Sequence, residues 1–258
     1  MHIIKRELSA AFTELYITVF ADEHIGDPLS NRAALKARIE EVRTTPNMYA
    51  ILNGDLMNNA TKTSVSDTYA ETLSPQRQLD TLVELFTPIK DKILCITPGN
   101  HEHRTYIKEG IDITAVLASR LGLLDYYAPT AAYMFLRFGQ NVKNHRNQKL
   151  VYTFYITHGR RAGRTPGAKV NALMGLLNVV DADVYIHSHS HIPAVLKQPR
   201  YKVDLLHSKI TLCDALFVNT AANLEFGGYG EVFEFEPASM KTPLIRLSGR
   251  YKDADGRL

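Results

Sequence analysis

From Glu14 to Ala21 (ELYITVFA) the chain is almost continuously apolar and rich in β-branched and aromatic residues, a pattern that predicts a buried strand. A helical period follows, with Leu35, Ile39 and Val42 on one face of the stretch from Asn31 to Arg43. Tyr49 to Leu52 (YAIL) predicts the next strand. Ser74 followed by Pro75 reads as an N-cap and a first-turn proline, opening a helix with apolar positions Leu79, Leu82, Val83 and Phe86 that Pro88 limits. The third strand is Ile93 to Thr97, and a further helix runs over Ile113 to Leu121. The pattern then changes to strands: Tyr133 to Phe138, Leu150 to Thr157, Val184 to His187, Leu216 to Thr220 and Glu231 to Glu236. The early alternation predicts βαβ units and a partly parallel sheet, and the later strands imply a second sheet.

No internal repeat, low-complexity tract or linker rich in Pro, Gly and Ser interrupts this order. One domain is expected over residues 1–249, followed by a polar tail, Arg250 to Leu258 (RYKDADGRL), at the surface or frayed. At 258 residues, 45% apolar and 22% charged, the composition supports a full core and excludes a disordered or fibrous chain. No apolar run is long enough to cross a bilayer, and Met1 to Ala10 lacks the apolar core of a signal peptide, so a cytoplasmic protein without a membrane partner is expected. The two cysteines, Cys95 and Cys213, sit in strand-like apolar settings, which excludes a disulfide scaffold and disfavours thiolate ligation of a metal.

The net charge of +3 says little as a sum, but its distribution is uneven. Between Asp125 and Asp181 there is no acidic residue, while Arg137, Lys143, Arg146, Lys149, Arg160, Arg161, Arg164 and Lys169 are all basic. Such asymmetry suits an anionic partner, although a solvated basic face would look the same.

Acidic, amide and imidazole side chains cluster where the predicted strands end. Asp22-Glu23-His24 follows the first strand, Gly54-Asp55 the second, and Gly99-Asn100-His101-Glu102 the third. His158-Gly159 and His187-Ser188-His189-Ser190-His191 follow two later strands. The carboxyl ends of strands in an open α/β sheet converge on one crevice, so five segments can deliver polar groups to one point. Carboxylate, amide and imidazole donors without thiolate suit Mn, Fe, Co, Ni or Zn. Seven candidate ligands exceed what one ion needs, and two ions sharing a carboxylate would clamp the oxygens of an in-line displacement at phosphorus.

At these residues the sequence resembles the calcineurin-like metallophosphoesterase superfamily, whose pattern runs D-x-H, G-D, G-N-H-[DE], H, G-H-x-H. The first four blocks match as written, and the last reads Ser188-His189-Ser190-His191, with serine in place of glycine. The resemblance implies a four-layer αββα sandwich of two mixed sheets flanked by helices. It implies that Asp22, His24 and His191 hold a first metal, that Asn100, His158 and His189 hold a second, and that Asp55 bridges them. By the same resemblance His101 is the catalytic histidine beside the substrate. Some relatives carry a carboxylate three residues beyond the bridging aspartate to polarise that histidine; here the position is Asn58, expected to orient the ring.

His187 reads as packing against the site and not as a ligand, and His2, His145 and His207 as background. His103 and Arg104 follow the catalytic block closely enough to touch substrate. The loop from His158 to Gly167, with Arg160, Arg161 and Arg164, is expected to hold phosphates flanking the scissile one. The expectation is a phosphodiesterase using two divalent ions, manganese first, on nucleic acid or nucleotides. A phosphomonoesterase is the alternative; its protein-phosphatase branch is disfavoured because Leu56-Met57-Asn58-Asn59 replaces that branch's extension after the bridging aspartate. A non-catalytic metal-binding scaffold is the third reading, and the oligomeric state is open.

Overall fold

The computed structural model describes residues 1–61, 64, 68–142, 148–160, 163, 165–228, 231, 236, 237 and 239–258. Arg161, Arg164, His145 and most of the expected strand Glu231 to Glu236 lie outside the described residues.

Two mixed sheets face each other. The first pairs β1 (His2–Glu7), β5 (Ala132–Phe138), β6 (Leu150–Ile156), β7 (Val184–His187), β9 (Lys209–Asn219) and β8 (Ala194–Asp204) in that order. The second has the order β11 (Ala254–Arg257), β10 (Leu244–Ser248), β2 (Glu14–Phe20), β3 (Met48–Asn53) and β4 (Ile93–Thr97). Strands β2, β3 and β4 run parallel, as the alternation with α1 (Arg32–Thr44) and α2 (Pro75–Phe86) requires. Strand period sends Leu15, Ile17 and Val19 of β2 into the core between the sheets. There they meet Tyr152, Phe154 and Ile156 of β6 and Ile245 and Leu247 of β10. Phe20 points the other way, into a second core with Leu35, Ile39 and Val42 of α1, Leu79, Leu82 and Phe86 of α2, and Leu117 and Leu121 of α4 (Ile113–Leu121). On the far side Leu173 of α5 (Pro166–Met174) covers Tyr185 and Phe217. Helices, sheet, sheet and helix therefore stack in four layers.

Helix α3 (Asn100–Glu109) opens at the GNHE block. Gly99 is its N-cap, Glu102 at N3 accepts from the Gly99 amide at 3.0 Å, and Gly110 closes it in the left-handed region at φ 69°.

Several elements differ from expectation. Residues 250–258 lie at the surface, as expected, but are not frayed: Ala254–Arg257 forms β11, paired antiparallel with β10, and the buried Tyr152 Oη bonds the carbonyls of Ser248, Tyr251 and Asp253 in the turn before it. The basic loop after His158 ends sooner than expected, since Thr165 caps the Ala168 amide and starts α5 at Pro166. Strand β9 begins at Lys209, not Leu216, and pairs along its whole length with β8.

Candidate metal centre

Every segment expected at the site lies at the carboxyl end of a strand, and the two sheets present those ends together. Asp22 and His24 follow β2, Asp55 follows β3, Asn100 starts the helix after β4, His158 follows β6, and His189 and His191 follow β7. Three sets of side chains converge so that one ligand atom from each lies within 4.8 Å of the others: Asp22, His24 and His191; Asp55, His158 and His189; and His24, Asp55 and His101. The first is the expected first-ion set; the second brings His158 and His189 together with Asp55, without Asn100; Asp55 is shared by the second and third sets and His24 by the first and third. His191 Nε2 is 3.2 Å from Asp22 Oδ1, and His158 Nε2 is 3.1 Å from Asp55 Oδ2 and 3.9 Å from Asp22 Oδ1.

The backbone is bent sharply to achieve this. Asp22 (φ 53°), His24 (φ 45°), Asp55 (φ 49°), His189 (φ 65°) and His191 (φ 56°) all occupy the left-handed region that non-glycine residues avoid. Strain of this kind persists only where the surroundings over-determine it. His189 and His191 consequently leave the strand alternation that ends at His187. The glycines of the GD and GNHE blocks are required for packing as well as for turns. A Cβ on Gly54, which sits at φ 76°, would stand 2.3 Å from the Gly99 amide nitrogen.

Buried hydrogen bonds fix the donors. His158 Nδ1 lies 2.7 Å from the Asn53 carbonyl oxygen, which leaves Nε2 as the ligating nitrogen. Asn53 itself ties the sheets together, its amide donating to Thr157 O and Ser188 Oγ while its oxygen accepts from Thr97 Oγ1. Glu102 accepts from the amides of Asp55, Met57 and Gly99, each at 3.0 Å, and so holds the turn that aims Asp55. Asn219 at the end of β9 accepts from His187 Nδ1 on Oδ1 (2.8 Å) and donates from Nδ2 to Ser190 Oγ (2.7 Å) and Ile192 O, pinning the HSHSH segment. Asn53 and Asn219 were missed in the sequence, where each ends a strand without matching a motif.

Among the described residues, eight buried side-chain atoms have no hydrogen-bond partner, and five of them are Asp22 Oδ1, His24 Nε2, Asn100 Oδ1, His158 Nε2 and His189 Nδ1; Asp22 Oδ1 and His158 Nε2 have an ion-pair neighbour, the other three none. Orphaned polar atoms are costly, so their concentration on the expected ligands means that the site is built to be completed by a cation. The residues present fit a pair of divalent ions.

The charges agree. Burial pushes the Asp22 carboxyl up, but His191 and His158 overcome it and bring it to about 2, and the same contest with His158 and His101 leaves Asp55 well below the usual carboxylate range. Burial and the charge of His101 hold His24 well below an ordinary imidazole, and burial with His158 lowers His189 to about 4. His158 goes the opposite way: burial opposes its charge, yet Asp55 and Asp22 raise it to about 10. Burial together with Asp55 lifts Glu102 to about 7.

His101 stands at the rim, 13% of its side chain exposed, with Nε2 3.8 Å from Asp55 Oδ2. Its Nδ1 is 2.7 Å from the Asn58 main-chain oxygen, and Arg104 Nη2 approaches Nε2 to 3.1 Å. The Asn58 side chain does not orient the ring as expected; its amide donates to Glu71 Oε1 at 2.8 Å, because the turn after Asp55 points the carbonyl, not the side chain, at His101. His103 faces along α3 and stacks on Tyr106 with ring centroids 5.4 Å apart, and it belongs to none of the ligand sets. His187 packs its Nε2 against Gly159, where an added Cβ would lie 2.2 Å away. Arg160 is exposed two residues beyond His158.

A family model described as calcineurin-like phosphoesterase matches residues 15–193, well over half of the chain and all seven expected ligands. The chain belongs to the calcineurin-like phosphoesterase family. Solved structures similar to this family member include a predicted phosphoesterase from Streptococcus pneumoniae, 12% identical, with a TM-score of 0.37 over 96% of this chain and 99% of that one. Vacuolar Protein Sorting 29 from Cryptosporidium parvum is 12% identical, with a TM-score of 0.43 over 95% and 97%. The nuclease MPE of Pseudomonas putida is 14% identical, with a TM-score of 0.36 over 93% and 87%. No activity passes from such distant likenesses to this metallophosphoesterase. No curated protein matches it. Among its described residues no helix is long and apolar enough to cross a membrane.

Proposed function

We propose that this chain hydrolyses phosphodiesters of nucleic acid or nucleotides with two divalent metal ions bound, manganese first, then Fe, Co, Ni or Zn. The observation that carries the metal-dependent chemistry is the set of five buried ligand atoms without a hydrogen-bond partner, three of them on Asp22, His24 and His189 in left-handed turns. Asp22, His24 and His191 would hold one ion, Asn100, His158 and His189 the other, and Asp55 both. Bound there, such a pair supplies Lewis-acid stabilisation of phosphoryl oxygens and a nucleophile at neutral pH. His101 keeps its Nδ1 proton on the Asn58 carbonyl, so ring rotation is blocked and Nε2 is the atom presented to the leaving oxygen. Burial holds His101 below an ordinary imidazole, and Asp55 beside it opposes that shift, supporting the imidazolium form needed to donate a proton. Arg104 can exchange its contact with His101 for a phosphate oxygen, where a guanidinium pairs bidentately.

A substrate longer than a monophosphate is supported by what borders this centre. A cleft of about 360 Å³ adjoins His191 and is lined by Pro166, Lys169, Ile192, Pro193, Glu236 and Lys241. That is room for one nucleotide-sized group, with two lysines to meet a neighbouring phosphate. Arg160 lies exposed beside His158. The test is turnover of bis-p-nitrophenyl phosphate, p-nitrophenyl phosphate and single- and double-stranded DNA with Mn²⁺, against an EDTA control. Diester and DNA cleavage lost with EDTA supports the reading, and a KM for DNA raised far more than that for nitrophenyl esters in an Arg160, Arg161 and Arg164 triple alanine variant supports its substrate. Monoester cleavage alone makes the protein a phosphomonoesterase.

A further inference from the structure

The β8–β9 hairpin reaches past the sheet that carries it. Strand β7 pairs with β9 only from Leu216 onward, so Lys209–Ala215 of β9 has β8 as its sole strand partner among the described residues. A two-stranded ribbon is marginal in water unless a face is covered. One face of this ribbon is anchored: Arg200 and Lys202 reach back to Asp181, and Lys202 meets Asp183 at 3.1 Å. The other face is bare. Tyr201 stands opposite Leu212 and Val203 opposite Ile210 in the ladder, and the turn adds Leu205 and Leu206, 86% and 92% exposed.

This bare face continues the one that packs between the sheets. Val195, on the same side of β8, contacts the inter-sheet core where β11 covers it, and Gly256 sits against its methyl groups. Among the described residues no second sheet lies over the ribbon beyond β11. Six large apolar side chains at ~100–200 Å² each expose on the order of 800 Å², the share one partner contributes to a standard interface and more than a monomer usually leaves bare in one place. Pro199 and the flanking Lys197, Arg200 and Lys202 blunt the free edge of β8, so the capacity for association is in the face, not in edge pairing.

We propose that this face packs against the same face of a second copy of the chain, making an isologous dimer through sheet-on-sheet contact of two ribbons. From Tyr201 to Leu212 around the hairpin tip the patch is apolar, with Asp214 and the Asp255-paired Lys197 on the same face nearer the sheet, and an apolar patch is complementary to itself, which a two-fold interface requires. Paired faces also supply each ribbon with the cover that a second sheet gives the rest of β8 and β9. The hairpin tip lies at the opposite end of the strands from the metal centre, so the dimer leaves both sites open.

Sedimentation velocity over a range of protein concentrations tests this. The protein should run at twice its monomer mass, and Leu205→Asp with Leu206→Asp, or independently Val203→Arg with Ile210→Glu, should weaken dimerisation at least tenfold while metal content and melting temperature stay near those of the parent. A parent that is monomeric at every concentration overturns the proposal, as does a dimer that survives both double variants. A monomer that instead floats with anionic or neutral lipid vesicles assigns the face to a membrane and overturns it equally.

Discussion

His101 Nδ1 lies 2.7 Å from the Asn58 carbonyl oxygen, while the Asn58 side chain turns away to Glu71. A carbonyl only accepts, so Nδ1 carries the proton whatever residue stands at position 58. Asn58→Ala should therefore retain activity within about threefold of the parent and lose ~1 kcal/mol of stability with the Glu71 bond. His101→Ala should keep its metal but lose on the order of 10²- to 10⁴-fold in kcat. Steady-state kinetics on bis-p-nitrophenyl phosphate, with thermal melts, separates the two; an Asn58→Ala variant as slow as His101→Ala returns the catalytic role to the side chain.

Asp55 is 1% exposed, accepts the His101 amide on Oδ1 and faces His158 with Oδ2. Asp55→Asn removes the negative charge from the middle of the donor set while keeping its shape. Metal analysis should show fewer than two ions per chain and the esterase rate should collapse. Two bound ions with parental turnover would remove Asp55 from the centre of the assembly.

Much of this arrangement was legible because its signals are local. Ile93–Thr97, Ile113–Leu121 and Val184–His187 were bounded correctly from hydrophobic period and turn residues alone. The donor set could be assembled because each member ends a strand. What escaped depends on contacts distant in sequence. Strand β1 exists by pairing with β5, some 130 residues on, and β11 by its ladder to β10 and by the buried Tyr152 hydroxyl. Strand β8 alternates exposed and half-buried residues around a proline, a weak pattern that β9 makes into a strand. At position 58 the residue type suggested a side-chain role, and only the backbone path shows that the carbonyl performs it.

Asn219 illustrates a residue that acts through others. Buried at the end of β9, it bonds His187 Nδ1, Ser190 Oγ and Ile192 O, so it holds both turns that present His189 and His191. Asn219→Ala should cost about 1–3 kcal/mol by leaving those groups unpaired. Because partners behind a ligand set its orientation, metal affinity should fall about 10- to 100-fold. Calorimetric titration with Mn²⁺ or Zn²⁺, beside a melt of the metal-free protein, measures both. Unchanged affinity in a destabilised variant would confine Asn219 to packing.

Metal binding should also expel a proton, and the donor can be named. In the metal-free site Asp22 and Asp55 are held ionised, and His24 and His189 are held neutral by burial, so at pH 7 none of these four has a proton to lose. His158 differs, because Asp55 and Asp22 raise it to about 10 and it is protonated at pH 7, with Nε2, the nitrogen needed for ligation, carrying the charge. A cation entering there must displace that proton, since imidazole ligates only when neutral. The sign follows: between pH 9 and pH 8, below the raised value of His158 and above that of Glu102, each unit of acidification should weaken binding by about tenfold for the one proton released. Titration calorimetry at pH 7 in buffers of different ionisation enthalpy should give a slope near one proton per chain. A binding enthalpy that does not vary with buffer would mean that His158 is already neutral, and that the carboxylates are balanced by another group.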